Sequence, residues 1–200
     1  NQPWGEEINV RNHYNELRIS LQEKSGKKRQ LNIVFRAFDD GIGFRYEFPE
    51  QSNLSNFTIS DELTEFALAT NDPAWTIPAY KGVYYENLWR KATICKLDTV
   101  TTPVTIEMKK GKFLLLHEAD LTDYAKMNLF PIKSSSRLKV DLTPWSTGVK
   151  VYTKTPFVSP WRMIVLADNL NQLYNSRLML NLNDPCMIKD TSWLLPSKYI

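Results

Sequence analysis

Long apolar runs are missing from this chain of 200 residues, and none approaches the length needed to span a bilayer as a helix. Cysteine is scarce. Cys95 and Cys186 lie far apart in sequence, so they make neither a disulfide framework nor a zinc site, and they leave the redox compartment open. Histidine is equally scarce, with His13 and His117 alone, and the absence of His-Glu-x-x-His excludes a zinc-protease reading. Charge of one sign is not in excess. A net charge of +3 is spread along the chain, and the one dense basic cluster, Lys27-Lys28-Arg29, sits beside Gly26 as a solvated hairpin turn rather than a nucleic-acid patch. Internal repeats and low-complexity segments are absent, and helical patterning is rare. The hydrophobic share of 42% against 24% charged residues argues against disorder and suffices for the core of one domain. The start, Asn1-Gln2-Pro3-Trp4-Gly5-Glu6, has neither an initiator Met nor a signal peptide, so the chain reads as a mature or excised piece.

What is present is alternation with a period of two. Leu31, Ile33, Phe35 and Ala37 alternate with Asn32, Val34, Arg36 and Phe38. After Asp39-Asp40-Gly41, a turn with Gly available for positive φ, Ile42, Phe44, Tyr46 and Phe48 alternate with Gly43, Arg45 and Glu47. This pattern predicts a hairpin, with Arg36 and Arg45 on its wetter face unless each is paired. Further strands are expected at Leu17–Gln22, Val83–Leu97, Val104–Met108, Lys112–Glu118, Leu138–Leu142, Val149–Thr153, Trp161–Leu166 and Leu178–Leu182. Ser60–Leu68 reads as a short helix capped by Ser60 or as a strand, and Asn169–Asn175 as one helical turn. Many short strands with turn signals between them define an all-β sandwich or barrel.

The segment Phe113–Leu121 carries the sharpest chemistry. As a strand it places Leu114, Leu116 and Glu118 on one face and Phe113, Leu115 and His117 on the other. A strand apolar on both faces is a buried one. An unpaired buried carboxylate costs several kcal/mol, so Glu118 needs a cation, a hydrogen-bonding cage or a proton. A structural network with Arg162, Arg45 or another cation is one solution, and a metal ion is another. His117 reads as a satisfied core or edge histidine, and Asp120 and Asp123 as turn caps. Trp75, Tyr80, Tyr84, Tyr85 and Trp89 form an aromatic stretch suited to core packing or to stacking on sugars.

Five segments carry a resemblance. They are Trp4-Gly5-Glu6 with Arg11–Leu17; Phe35–Tyr46; His117-Glu118-Ala119-Asp120-Leu121-Thr122-Asp123-Tyr124; Ser159-Pro160-Trp161-Arg162; and Asp190–Ile200. In this order they resemble the N-terminal domain of glycoside hydrolase family 97, bacterial α-glycosidases of the α-glucosidase and α-galactosidase type. Pro196-Ser197-Lys198 departs from the family's usual Pro-Gly-Lys. The resemblance implies an all-β, galactose mutarotase-like β-supersandwich of mainly antiparallel strands. It implies a domain over residues 1–188, with its opening strands missing, and a linker over 189–200 toward an absent catalytic (β/α)₈ barrel. It implies that the parent hydrolyses α-linked glucosides or galactosides in the periplasm or outside the cell. The oligosaccharide substrate would be taken by the barrel, which also supplies the catalytic carboxyls, so no catalytic residue is assigned to this chain. In the family, a Glu in the Glu-Ala-Asp-Leu context reaches the barrel mouth and binds calcium; the matching residue is Glu118, a hard oxygen ligand of the expected kind. The alternative is a non-catalytic carbohydrate-binding module or lectin-like sandwich resting on the stretch Trp75–Trp89.

Overall fold

A computed structural model describes residues 7–81 and 86–193. Trp4-Gly5-Glu6, Tyr84, Tyr85 and the Pro196-Ser197-Lys198 segment lie outside the described residues. Within them the chain is built from strands β1 (Asn15–Gln22), β2 (Gln30–Phe38), β3 (Gly41–Phe48), β4 (Asn56–Ile59), β5 (Glu65–Ala67), β6 (Pro73–Pro78) and β7 (Arg90–Thr93). Then follow β8 (Val100–Glu107), β9 (Phe113–Ala119), β10 (Met127–Pro131), β11 (Arg137–Leu142), β12 (Val151–Lys154), β13 (Phe157–Val158) and β14 (Trp161–Ala167). Two short helices close the chain, α1 (Leu170–Tyr174) and α2 (Leu178–Leu182).

The main sheet runs in the order β1-β2-β3-β14-β9-β8-β10-β11-β5, with β6 and β7 branching from β8, and β13 beside β3. β4 and β12 form a separate two-stranded sheet. The strand pairs are antiparallel, and the main sheet curls into the expected all-β sandwich. Alternation explains the two cores. Leu116 of β9 joins Val104, Ile106, Leu129, Leu138 and Val140 in the inner core. On the other face Trp161, Met163 and Val165 of β14 pack under Leu178 and Leu182 of α2. β9 and β14 are therefore covered on both faces, as the double-sided apolar pattern of Phe113–Leu121 requires.

The predicted hairpin forms as β2–β3, with Phe38 opposite Gly41 across the turn at Asp39-Asp40. Gly41 is needed for a different reason from the expected positive φ: a Cβ there would sit 2.2 Å from the Ile164 carbonyl oxygen and 2.7 Å from Leu178. The Lys27-Lys28-Arg29 turn holds too, with Lys28 and Gly26 both at positive φ. Asn169 caps α1 by accepting the Gln172 amide at 3.0 Å. The expected strand at Leu178–Leu182 is instead α2. Its leucines at every second position imitate a strand, but only Leu178 and Leu182 are buried, and their spacing of four is a helical face. Ser60–Leu68 resolves toward strand, through the short β5. In the 83–97 region only Arg90–Thr93 forms a strand among the described residues.

Candidate functional site at the end of β9

Glu118 lies one residue from the end of β9, and register sets Arg162 of β14 directly opposite it. Both side chains point into the inner core. Arg162 is fully buried, at 0% relative exposure, so it requires close partners. It donates Nε–H to Glu62 Oε1 at 2.8 Å and Nη2–H to Glu62 Oε2 at 2.5 Å, a bidentate pair. Its Nη1–H goes to Glu118 Oε2 at 2.9 Å. The Met127 amide at the start of β10 donates to both Glu118 oxygens, at 3.1 and 3.2 Å. Glu62 is completed by the Thr64 hydroxyl at 2.8 Å and the Tyr124 hydroxyl at 3.0 Å, and Tyr46 bonds Thr64 in turn at 2.8 Å. The Tyr124 ring also lies 5.4 Å from the guanidinium carbon.

The two carboxyls differ electrostatically. For Glu62, burial raises the pKa, but the hydrogen bonds and charge of Arg162 outweigh it and leave the group below its ordinary value. For Glu118, burial raises the pKa and prevails; Arg162 and the Met127 amide only partly oppose it. Half-buried Lys126 lies close enough to favour the Glu118 carboxylate, and burial lowers its own pKa. Of the alternatives open for Glu118, the structure thus shows the cation Arg162. Glu62 completes the network. It was not legible in the sequence, because it stands in no apolar alternation and lies 100 residues from Arg162.

The remaining candidates separate. His117 faces away from Glu118, as expected, but it is not a satisfied histidine: Nδ1 is buried without a hydrogen-bond partner. Burial first, and the charge of Lys126 second, lower its pKa to about 4. Asp120 and Asp123 take left-handed turn positions at φ 57° and 48°. Asp120 lies 4.0 Å from Arg45 and accommodates its neighbour Asp184 with a raised pKa, chiefly through burial. Arg36 and Arg45 are both paired, with Glu16 and Glu47. Their guanidinium groups also lie 4.7 and 4.4 Å from the ring of buried Trp161. Trp75 is bonded to Glu107 at 2.6 Å with Lys91 over its ring, and Tyr80 to Asp141 at 2.9 Å.

A calcium ion takes six to eight oxygen ligands. Among the described residues no three His, Cys, Asp or Glu side chains gather for a metal. Glu118 already accepts three hydrogen bonds and has a guanidinium nitrogen at 2.9 Å. The donor set of this chain alone therefore does not fit a calcium site. No helix among the described residues is long and apolar enough to cross a membrane.

A curled antiparallel supersandwich with a buried Arg–carboxylate network at the end of a central strand is the class of structure defined here. Comparison places it more narrowly. The residue pattern of the glycosyl-hydrolase 97 N-terminal family matches residues 1–185, and the chain belongs to that family. It is 23% identical over 221 residues to a retaining alpha-galactosidase of Bacteroides thetaiotaomicron, covering 94% of this chain and 32% of the relative. A probable retaining alpha-galactosidase of Streptomyces bingchenggensis is 26% identical over 184 residues, covering 90% and 27%. Structures of a glycoside hydrolase family 97 enzyme from Pseudoalteromonas sp. strain K8, one in complex with acarbose and one with panose, superpose with a TM-score of 0.92 at 38% identity. They cover 98% of this chain and 30% of the enzyme. The chain thus spans about a third of the length of the relatives it matches.

Proposed function

We propose that this chain is the non-catalytic N-terminal sandwich of a secreted or periplasmic α-glycosidase that hydrolyses α-linked glucosides or galactosides, and that it buttresses the active site built by the rest of the parent. The observation that carries this is the similarity at 38% identity and TM-score 0.92 to a sugar-binding family 97 enzyme of which this chain matches 30%. Glycoside hydrolysis needs two carboxyls free to flank the scissile bond. Glu62 and Glu118 are instead buried on either side of Arg162, which suits a supporting role. In this reading the network ties the Glu62 loop, β9, β10 and β14 into a rigid wall.

The test uses the parent enzyme on aryl α-glucosides and α-galactosides. Arg162→Met is expected to lower activity and its heat tolerance together. Parent activity that is absent on both substrate types, or unchanged by loss of the wall, would overturn the proposal. Recovery of the parent in the cytoplasm on fractionation would remove the localisation.

For the parent we also propose that Glu118 lends one oxygen to a calcium ion completed by ligands outside this chain. Its support is the Glu-Ala-Asp-Leu context and the position of Glu118 near the end of β9, with Arg162 engaging Oε2 rather than Oε1. Glu118→Gln in the parent should weaken calcium activation of hydrolysis and blunt its loss in EDTA. An unaltered calcium titration removes the role and leaves Glu118 as a partner of Arg162.

A further inference from the structure

A cleft of about 1150 Å³ opens beside the network, between the β4–β12 sheet, the segment around Tyr124 and the turn at Pro144-Trp145. Register explains one wall. Tyr152 pairs with Thr58 and Lys154 with Asn56, so these four side chains share one face of the two-stranded sheet. Trp145 and Tyr152 line the cleft while remaining 64% and 54% exposed. The Tyr152 ring is tied down through its hydroxyl, and the Trp145 backbone is fixed in its turn. The Tyr152 hydroxyl meets that of Thr147 at 2.8 Å, and the Trp145 amide and carbonyl close the turn through Val149 and Gly148 at 2.9 Å each. Tyr124, on another wall, is fixed by its bond to Glu62 and by stacking on Phe157, with centroids 5.9 Å apart.

The chemistry of this lining is selective. Aromatic faces left half exposed on a rigid frame take a flat apolar surface, and the hydroxyls, amide and ammonium groups around them take polar groups at its rim. A pyranose ring has both: C–H faces above and below and hydroxyls around the edge. An apolar peptide would leave Asn56, Thr58 and Lys154 without partners, and a nucleic acid would call for more free positive charge than this cleft carries, since Lys150 is paired with Asp141, Lys126 lies by Glu118 and Asp123 also lines it. We infer that the cleft binds a pyranose-containing oligosaccharide, with Trp145 and Tyr152 as the stacking platform and Asn56, Thr58 and Lys154 as hydrogen-bonding groups. It is a different surface from the Trp75–Trp89 stretch, where Trp75 and Tyr80 are already engaged.

The inference does not depend on the glycosidase reading, because binding is read on this 200-residue chain and hydrolysis on the parent. Calorimetry with maltotriose, with a galactose-based trisaccharide and with an uncharged polyol control is expected to show binding to at least one sugar with a Kd of about 1 mM or tighter, and none to the polyol. Trp145→Ala and Tyr152→Ala should each weaken that binding about tenfold or more, the loss equivalent to about 1.4 kcal/mol. Melting temperatures should stay near that of the unsubstituted chain because both rings are exposed. Trp75→Ala should leave affinity unchanged. Silence toward both sugars overturns the inference, as does binding that survives both cleft variants or that falls with Trp75→Ala instead.

Discussion

Arg162 stands directly opposite Glu118 across the β14–β9 pair and holds it at 2.9 Å, while the other edge of the same guanidinium grips Glu62. One buried cation thus serves two buried carboxylates from segments far apart in the chain. The network trades desolvation for hydrogen bonds and leaves few polar atoms unmet.

Breaking it from the middle should be costly. Arg162→Met leaves two carboxyls without their cation, and urea denaturation is expected to show a loss of about 3–5 kcal/mol. Replacing all three, as Glu62→Leu, Arg162→Met and Glu118→Leu, should cost less than the single change, because no charge remains buried. A triple variant weaker than the single one would mean that the network contributes more than the removal of its desolvation cost.

Acid lability should trace partly to His117. Its pKa falls from 6.5 in the unfolded chain to about 4 in the folded one, through burial. The unfolded chain therefore takes up the proton first as pH drops. Stability from this position is intact above about pH 6.5, declines between 6.5 and 4, and is fully lost below, up to about 3 kcal/mol in all. Glu62, whose folded pKa is lowered, adds to the loss at the acid end, whereas Glu118, whose pKa is raised, opposes it. His117→Leu should flatten the stability profile across that window, as measured by urea denaturation at stepped pH. A slope unchanged in the variant would rule the residue out.

The outermost strand should make the chain associate. β1 is exposed along its whole length, with Leu17, Ile19 and Leu21 at 58%, 39% and 45% on one face, and no strand covers its outer edge among the described residues. Such an edge is a template for pairing. Sedimentation is expected to show concentration-dependent association that Ile19→Lys suppresses. A monomer at high concentration would count against it.

Two glycines should respond differently to alanine. At Gly41 the new methyl meets the Ile164 carbonyl at 2.2 Å, so Gly41→Ala should cost about 3 kcal/mol or more. At Gly26 the methyl finds open space but the backbone sits at φ +72°, so Gly26→Ala should cost only about 1 kcal/mol. Thermal denaturation of both variants orders them, and equal losses would remove the close-approach argument.

The all-β class, the β2–β3 hairpin and the double-sided burial of β9 followed from the sequence alone. Each is an alternation among neighbours on one segment, and the backbone pleat converts that directly into faces. The family was legible too, in five segments that follow one another in order, none of them decisive alone. Only the tertiary structure decided that Arg162 answers Glu118 and that Glu62 joins them, that His117 Nδ1 is left unmet, and that Leu178–Leu182 coils instead of extending. Which charges meet depends on which strands lie side by side in the sheet. A five-residue run with alternating leucines becomes helix or strand according to the surface waiting for it, here the hollow over Gly41 and Gly43. Neither is written in local periodicity.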